Sequence, residues 1–156
     1  MAMLLENRPG QIFFYPPIPA NELLGGLSDR GRKRLGTLMQ HRHFESDEQI
    51  FSAGDMPRSI YLLNRGRADL VADYRSQMSS AGCPVGLDQL FGVTEVLSGH
   101  KFSMGLRAVT SCEFEVIERS DFVAFLHKQP EVCFRLAAVL SSLYQRTVTS
   151  LKLNKN

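Results

Sequence analysis

The spacing of apolar residues changes twice along this chain, and the two changes restrict its fold more than any other feature. Residues 23–39 repeat at helical spacing, with Leu24, Leu27, Leu35 and Leu38 near one face. From His41 the period drops to two, and it returns to helical spacing near Ser120. Between those points lie short runs rich in Ile, Tyr, Leu, Val and Phe, at residues 41–45, 49–53, 59–64 and 67–74. Gly54-Asp55 and Arg65-Gly66 mark turns among them, and residues 113–117 alternate again. Strands this short and this closely spaced predict an antiparallel sandwich or roll. The expected fold is therefore mainly β with flanking helices: an antiparallel double-stranded β-helix, or jelly roll, with a long C-terminal helix.

Helix boundaries are marked by side-chain chemistry. Ser28 is placed to cap a first helix, with Asp29 in the turn where the helix dipole favours negative charge. Gly31 and Gly36 weaken that helix. Its basic cluster, Arg30, Arg32, Lys33 and Arg34, has no interleaved aromatics and reads as a solvated face. Ser120 is placed to cap a helix starting at Asp121, and Pro130 sits where proline opens the next one. The last helix is expected from about residue 131 to Leu153. Val132, Leu136, Val139 and Leu143 form a short heptad-like seam along it, suited to packing on its own domain or on a second copy. Residues 1–22 read as an arm, because prolines and aromatics crowd its end, and residues 23–156 as one domain. Residues 75–84 are polar and loop-like.

Composition narrows the function classes. A net charge of +2 is too small to argue for nucleic-acid binding. The cysteines, Cys83, Cys112 and Cys133, are odd in number and widely spaced, which fits inert thiols in a reducing compartment. No apolar run has the length of a signal peptide or a membrane span, so a cytoplasmic protein is expected. The four histidines, His41, His43, His100 and His127, are scattered without a third ligand at metal-site spacing. No nucleophile elbow or phosphate loop is present. The chain is not expected to be an enzyme, and no cofactor or metal is expected. The His41/His43 pair leaves a metal-binding cupin roll as an alternative.

Residues 90–117 carry the functional information. A tight turn at Phe91-Gly92 leads into a short helical segment, Gly99 breaks it, and a loop carrying Ser103 feeds a strand from Leu106. Facing backbone amides of this kind form an anion cradle. Together with Gln49-Ile50-Phe51, Gly54-Asp55, Ile60-Tyr61-Leu62-Leu63, Arg65-Gly66, Arg107-Ala108, Phe122 and Pro130, this order resembles the cyclic-nucleotide-binding domain family over residues 23–153. The resemblance is to effector domains of the catabolite-activator type.

In that family a glutamate after the Phe-Gly pair grips the ribose, and an arginine before the serine pairs with the cyclic phosphate. The resemblance puts Val93 and Phe102 at those two positions. It implies a ligand site of Phe91, Gly92, Val93, Leu97, Phe102, Ser103, Met104 and Thr147, the last by its spacing from Pro130. Glu95 stands two residues beyond the glutamate position, a helical spacing that points elsewhere. His100 and Lys101 stand just before Phe102 and could bring charge to a phosphate.

The implied function is a regulatory module that couples a small-ligand pocket to the C-terminal helix, with a nucleotide or other small ligand as partner. A homodimer through that helix is expected. The alternatives are a ligand-free dimerisation module, and the effector part of a transcription regulator without its helix-turn-helix. Direct DNA binding is not expected from a chain that stops at Asn156, and no membrane partner is expected.

Overall fold

The computed structural model describes residues 17–72 and 83–153; most of the expected arm and of the expected polar loop lie outside the described residues. The elements run β1 (Ile18–Pro19), α1 (Ala20–Leu24), α2 (Asp29–Leu38), β2 (Gln40–Phe44), β3 (Gln49–Phe51), β4 (Ser59–Arg65), β5 (Ala68–Val71) and β6 (Cys83–Val85). They continue with β7 (Gln89–Phe91), α3 (Val93–Ser98), β8 (Gly105–Ala108), β9 (Cys112–Glu118), α4 (Arg119–Lys128) and α5 (Pro130–Leu153). One sheet has the order β1-β7-β4-β9-β2 and the other β3-β8-β5-β6. Every strand pairing is antiparallel. The period change at His41 and its reversal near Ser120 thus produce the expected antiparallel roll flanked by helices.

Two cores result from the two-residue period of the strands. Phe51, Leu63, Leu70, Leu106, Phe114 and Val116 fill the space between the sheets. Ile18, Leu23, Ile60, Leu90, Ile117, Phe125, Val132 and Leu136 pack the five-stranded sheet against the helices. Neighbours in sequence therefore serve different cores. Val116 points into the roll and Ile117 toward the helices, and Phe91 and Leu90 divide in the same way.

Several boundaries differ from the sequence reading. The helix expected over residues 23–39 is two helices, broken at Gly25-Gly26. At the break a Cβ on Gly25 would overlap the Asn21 carbonyl of α1, and one on Gly26 would meet the end of the Arg135 side chain of α5. Ser28 does cap the second piece, accepting from the Gly31 amide at 3.2 Å. Ser120 does not cap α4, which opens two residues earlier than expected, at Arg119, with Glu118 at its N-cap. Cys83 and Pro84, expected in a loop, form an edge strand on β5. At the other end, Ile18–Pro19 pairs with β7, and both Ile18 and Leu23 are buried in the helix-side core.

The first half of the seam expected on α5 packs on the chain itself. Val132 and Leu136 are buried against the chain's own core, whereas Phe134 and Tyr144 on other faces are 77% and 70% exposed. Among the described residues, no helix is long and apolar enough to cross a membrane.

Gly66, between β4 and β5, has φ +94°, and a Cβ there would overlap the Ser111 carbonyl and lie 2.9 Å from Cys112 Cα. Gly66→Ala should therefore lower stability by about 2–4 kcal/mol. Gly36→Ala, in open space on α2, should raise it by about 0.5–1 kcal/mol. Urea unfolding of both variants checks the pair; equal effects would show that backbone geometry does not govern them.

Candidate functional site

The turn from β7 into α3 is made by Gly92 in the left-handed conformation, φ 88°. A Cβ at this position would sit 3.0 Å from the Ser59 carbonyl and 3.4 Å from the Phe102 ring. Glycine is required twice over, for its backbone angle and for this close approach. The six-residue helix α3 ends at Gly99, also left-handed at φ 78°, whose amide donates to the Glu95 carbonyl at 2.8 Å. Residues 100–104 then cross back toward β8.

That crossing is held by the turn after β3. The Gly54 amide donates to the Phe102 carbonyl at 2.7 Å, and the Phe102 amide donates to the Asp55 carbonyl at 3.0 Å. The Asp55 carboxylate accepts from the Ser52 amide at 2.9 Å and fixes the turn itself. With its backbone clamped on both sides, Phe102 lays its ring on Phe51. The centroids are 3.9 Å apart and the planes 15° from parallel. Tyr61 flanks Phe51 at 5.3 Å.

A cavity of about 20 Å³ remains between α3, the β7 end and this stack. That is the volume of roughly one water-sized probe, far below the roughly 300 Å³ at which ligand pockets begin. Six of the expected site residues line it: Phe91, Gly92, Val93, Phe102, Ser103 and Met104. Leu97 does not; it is 38% exposed on α3. Thr147 lies on α5, and its side chain is outside the described residues. Val93 and Phe102 both line the cavity but serve different cores. Val93 packs with Val96 on the helix side, and Phe102 belongs to the interior of the roll.

Glu95 was the residue that sequence spacing discounted, yet it lines the same cavity. The reason is the shortness of α3. Its six residues make under two turns, and both Val93 and Glu95 lie in the first of them beside the cavity. Glu95 is 7% exposed. Burial pushes its carboxyl above the ordinary value, and acceptance from its own backbone amide offsets this in part. The ion pairs His41–Glu115 at 3.2 Å and His43–Glu45 at 3.1 Å do not include it. They also place the two histidines on separate carboxylates. Among the described residues no group of three metal-ligating side chains forms.

The raised carboxyl has a sign that can be tested. The folded protein holds the Glu95 proton more tightly than the unfolded chain does. The stability this contributes is complete below the ordinary value of 4.5 and is lost as pH rises through the higher folded value. Glutamine carries no charge to desolvate. Glu95→Gln should therefore gain stability relative to the parent as pH rises from below 4.5 to neutral. Urea unfolding of both proteins across that range checks it; a difference that is flat with pH would mean the carboxylate is not desolvated.

The sequence model of the family described as "Cyclic nucleotide-binding domain" matches residues 41–129, from β2 to the end of α4. The cyclic AMP receptor protein of Thermus thermophilus is 28% identical over 119 residues. That match covers 76% of this chain and 55% of the relative, so the chain spans little more than half of that protein. The crystal structure of the Thermus thermophilus catabolite activator protein superposes with a TM-score of 0.74 at 25% identity, over 85% of this chain and 62% of that one. The N-terminal domain of a transcriptional regulator from Streptomyces coelicolor A3(2) superposes with a TM-score of 0.72 at 19% identity, over 84% of this chain and 92% of that one. The likeness in this last case is one of fold.

Proposed function

The chain belongs to the cyclic nucleotide-binding domain family, and we propose that it is a regulatory module of that family in which a packed aromatic ring stands where relatives grip a cyclic phosphate. The observation that carries this reading is the Phe51–Phe102 stack, which leaves only about 20 Å³ in the cassette. Family resemblance assigns the ribose-gripping position to Val93 and the phosphate-gripping position to Phe102. Each missing charge-assisted hydrogen bond is worth roughly 1.5–3 kcal/mol. Loss of both would weaken binding on the order of a thousandfold. A phosphate buried beside Glu95 without a cation would carry a further desolvation cost.

Signal transmission is read from shared packing. Ile18, Leu90 and Val93 line the cavity and also belong to the cluster that holds Val132 and Leu136 of α5. A ligand that moves α3 would therefore bias the seat of the long helix, provided it binds one seat better than the other. The output partner in this reading is a second copy of the chain, met through the exposed Phe134 and Tyr144 faces of α5. Such apolar exposure on a long helix is a surface that association would cover. DNA contact is assigned to none of the described residues.

Two experiments test the reading. Calorimetric titration of the chain with cyclic AMP should give no saturable heat at micromolar concentrations. Val93→Glu combined with Phe102→Arg should create measurable affinity, with thermal unfolding confirming that the variant is folded; saturable binding to the unaltered chain would sink the proposal. In sedimentation velocity, Phe134→Glu with Tyr144→Glu should shift a dimer to monomer, and a parent that is already monomeric would remove the dimer from it.

A further inference from the structure

We propose that the cassette cavity is a site for a flat aromatic cation, with the Phe51 ring as its stacking platform and Glu95 as its counter-charge. This rests on the reading of the cassette given above and names the chemical class of its ligand.

Three observations carry it. The first is the composition of the wall. Phe51, Phe91 and Phe102 line the cavity, and aromatic faces attract organic cations through their negative quadrupole. The second is the isolated acid. Glu95 lines the same cavity, is 7% exposed, and is in none of the ion pairs among the described residues. His100 and Lys101, which could have supplied a cation, are exposed to solvent. An anion entering this cavity would meet the Glu95 carboxyl with no cation paired to it. A cation would provide the missing partner through a charge-assisted hydrogen bond.

The third observation is the geometry of the plug. Phe102 stacks nearly parallel on Phe51, at 3.9 Å and 15°. A planar ring is already the group that this surface holds. A ligand ring can take the place of the Phe102 ring on Phe51 and keep the stacking contact. In this proposal the Phe102 backbone keeps its bonds to Asp55 and Gly54, and its side chain turns aside to admit the ligand ring. The ligand is thus a planar aromatic of about one ring that carries a basic nitrogen on its edge.

The test uses three probes of one shape and different charge: benzamidine, benzamide and benzoate. Each is titrated by calorimetry into the full chain, into Phe102→Ala, and into Phe102→Ala with Glu95→Gln. If truncation to alanine prevents folding, Phe102→Leu replaces it. The expected order is benzamidine tightest, by about tenfold or more over benzamide, with benzoate weakest. Phe102→Ala should strengthen benzamidine binding by about tenfold, because the ligand no longer displaces a ring. Adding Glu95→Gln should erase the preference for benzamidine over benzamide. Equal binding of the three probes, preference for benzoate, no benzamidine binding to the opened variant, or a preference that survives Glu95→Gln would each overturn the proposal. These outcomes are separate from the cyclic AMP titration. Cyclic AMP binding to the unaltered chain would refute the plugged-cassette reading itself, whereas failure of benzamidine alone refutes only the ligand class.

Discussion

Strands β4 and β9 pair from Ser59 opposite Glu118 to Arg65 opposite Glu113, and this ladder supplies one wall to both cores. Its outward side holds Ile60 and Ile117 for the helices, and its inward side holds Leu63, Phe114 and Val116 for the roll. A slip of one residue would exchange the two sets and put each in the wrong core. The register is therefore held from both faces at once. Strand β7 joins the ladder with Tyr61 opposite Phe91 and Leu62 opposite Leu90. The cassette begins at the next residue, Gly92, so its position is set by the same register.

Beside α3 the packed group is an aromatic pair rather than an ion pair. Ion pairing with a ligand gives affinity only when the ligand is present, and it leaves a cation to be hydrated when the ligand is absent. The Phe51–Phe102 stack is complete without any ligand. Aromatic pairs of this kind contribute roughly 0.5–1.5 kcal/mol beyond the area they bury. The fold is stabilised in this way whether or not anything is bound. Glu95 works in the opposite direction, because a buried carboxyl without a cation favours its neutral form. The site thus holds a stacked apolar pair and a buried acid without a cation within a few residues of each other.

How much of this was legible in the sequence follows from how local each cause is. The roll was legible because period-two alternation needs only a few consecutive residues. The cap at Ser28 was legible because its partner, the Gly31 amide, is three residues away. Pro130 likewise marks the start of α5 by its own chemistry. The break at Gly25-Gly26 was hidden by Leu24 and Leu27, which continue the helical pattern across it. Strand β6 has no alternation of its own and exists through its pairing with β5. That positions 93 and 102 are apolar could be read from the sequence. That Phe102 stacks on Phe51 could not, since the clamp from Gly54 and Asp55 is a tertiary contact. The burial of Glu95 depends on the direction of a six-residue helix, which spacing does not encode.

The strand ends of the two sheets have a consequence for how copies of this chain can associate. An unpaired strand edge is a template for further strand addition and so for aggregation. One outer strand, β1, is two residues long and contains Pro19, which offers no amide hydrogen. The opposite outer strand, β2, carries exposed His41, Arg42 and His43. In the smaller sheet, β6 contains Pro84 and β3 has an irregular register between Gln49 and Phe51. Each edge is thus short, proline-bearing, charged or irregular. Open-ended growth through backbone pairing is disfavoured at all of them, so side-by-side fibril formation is discouraged while the helical surface stays free for closed, finite association.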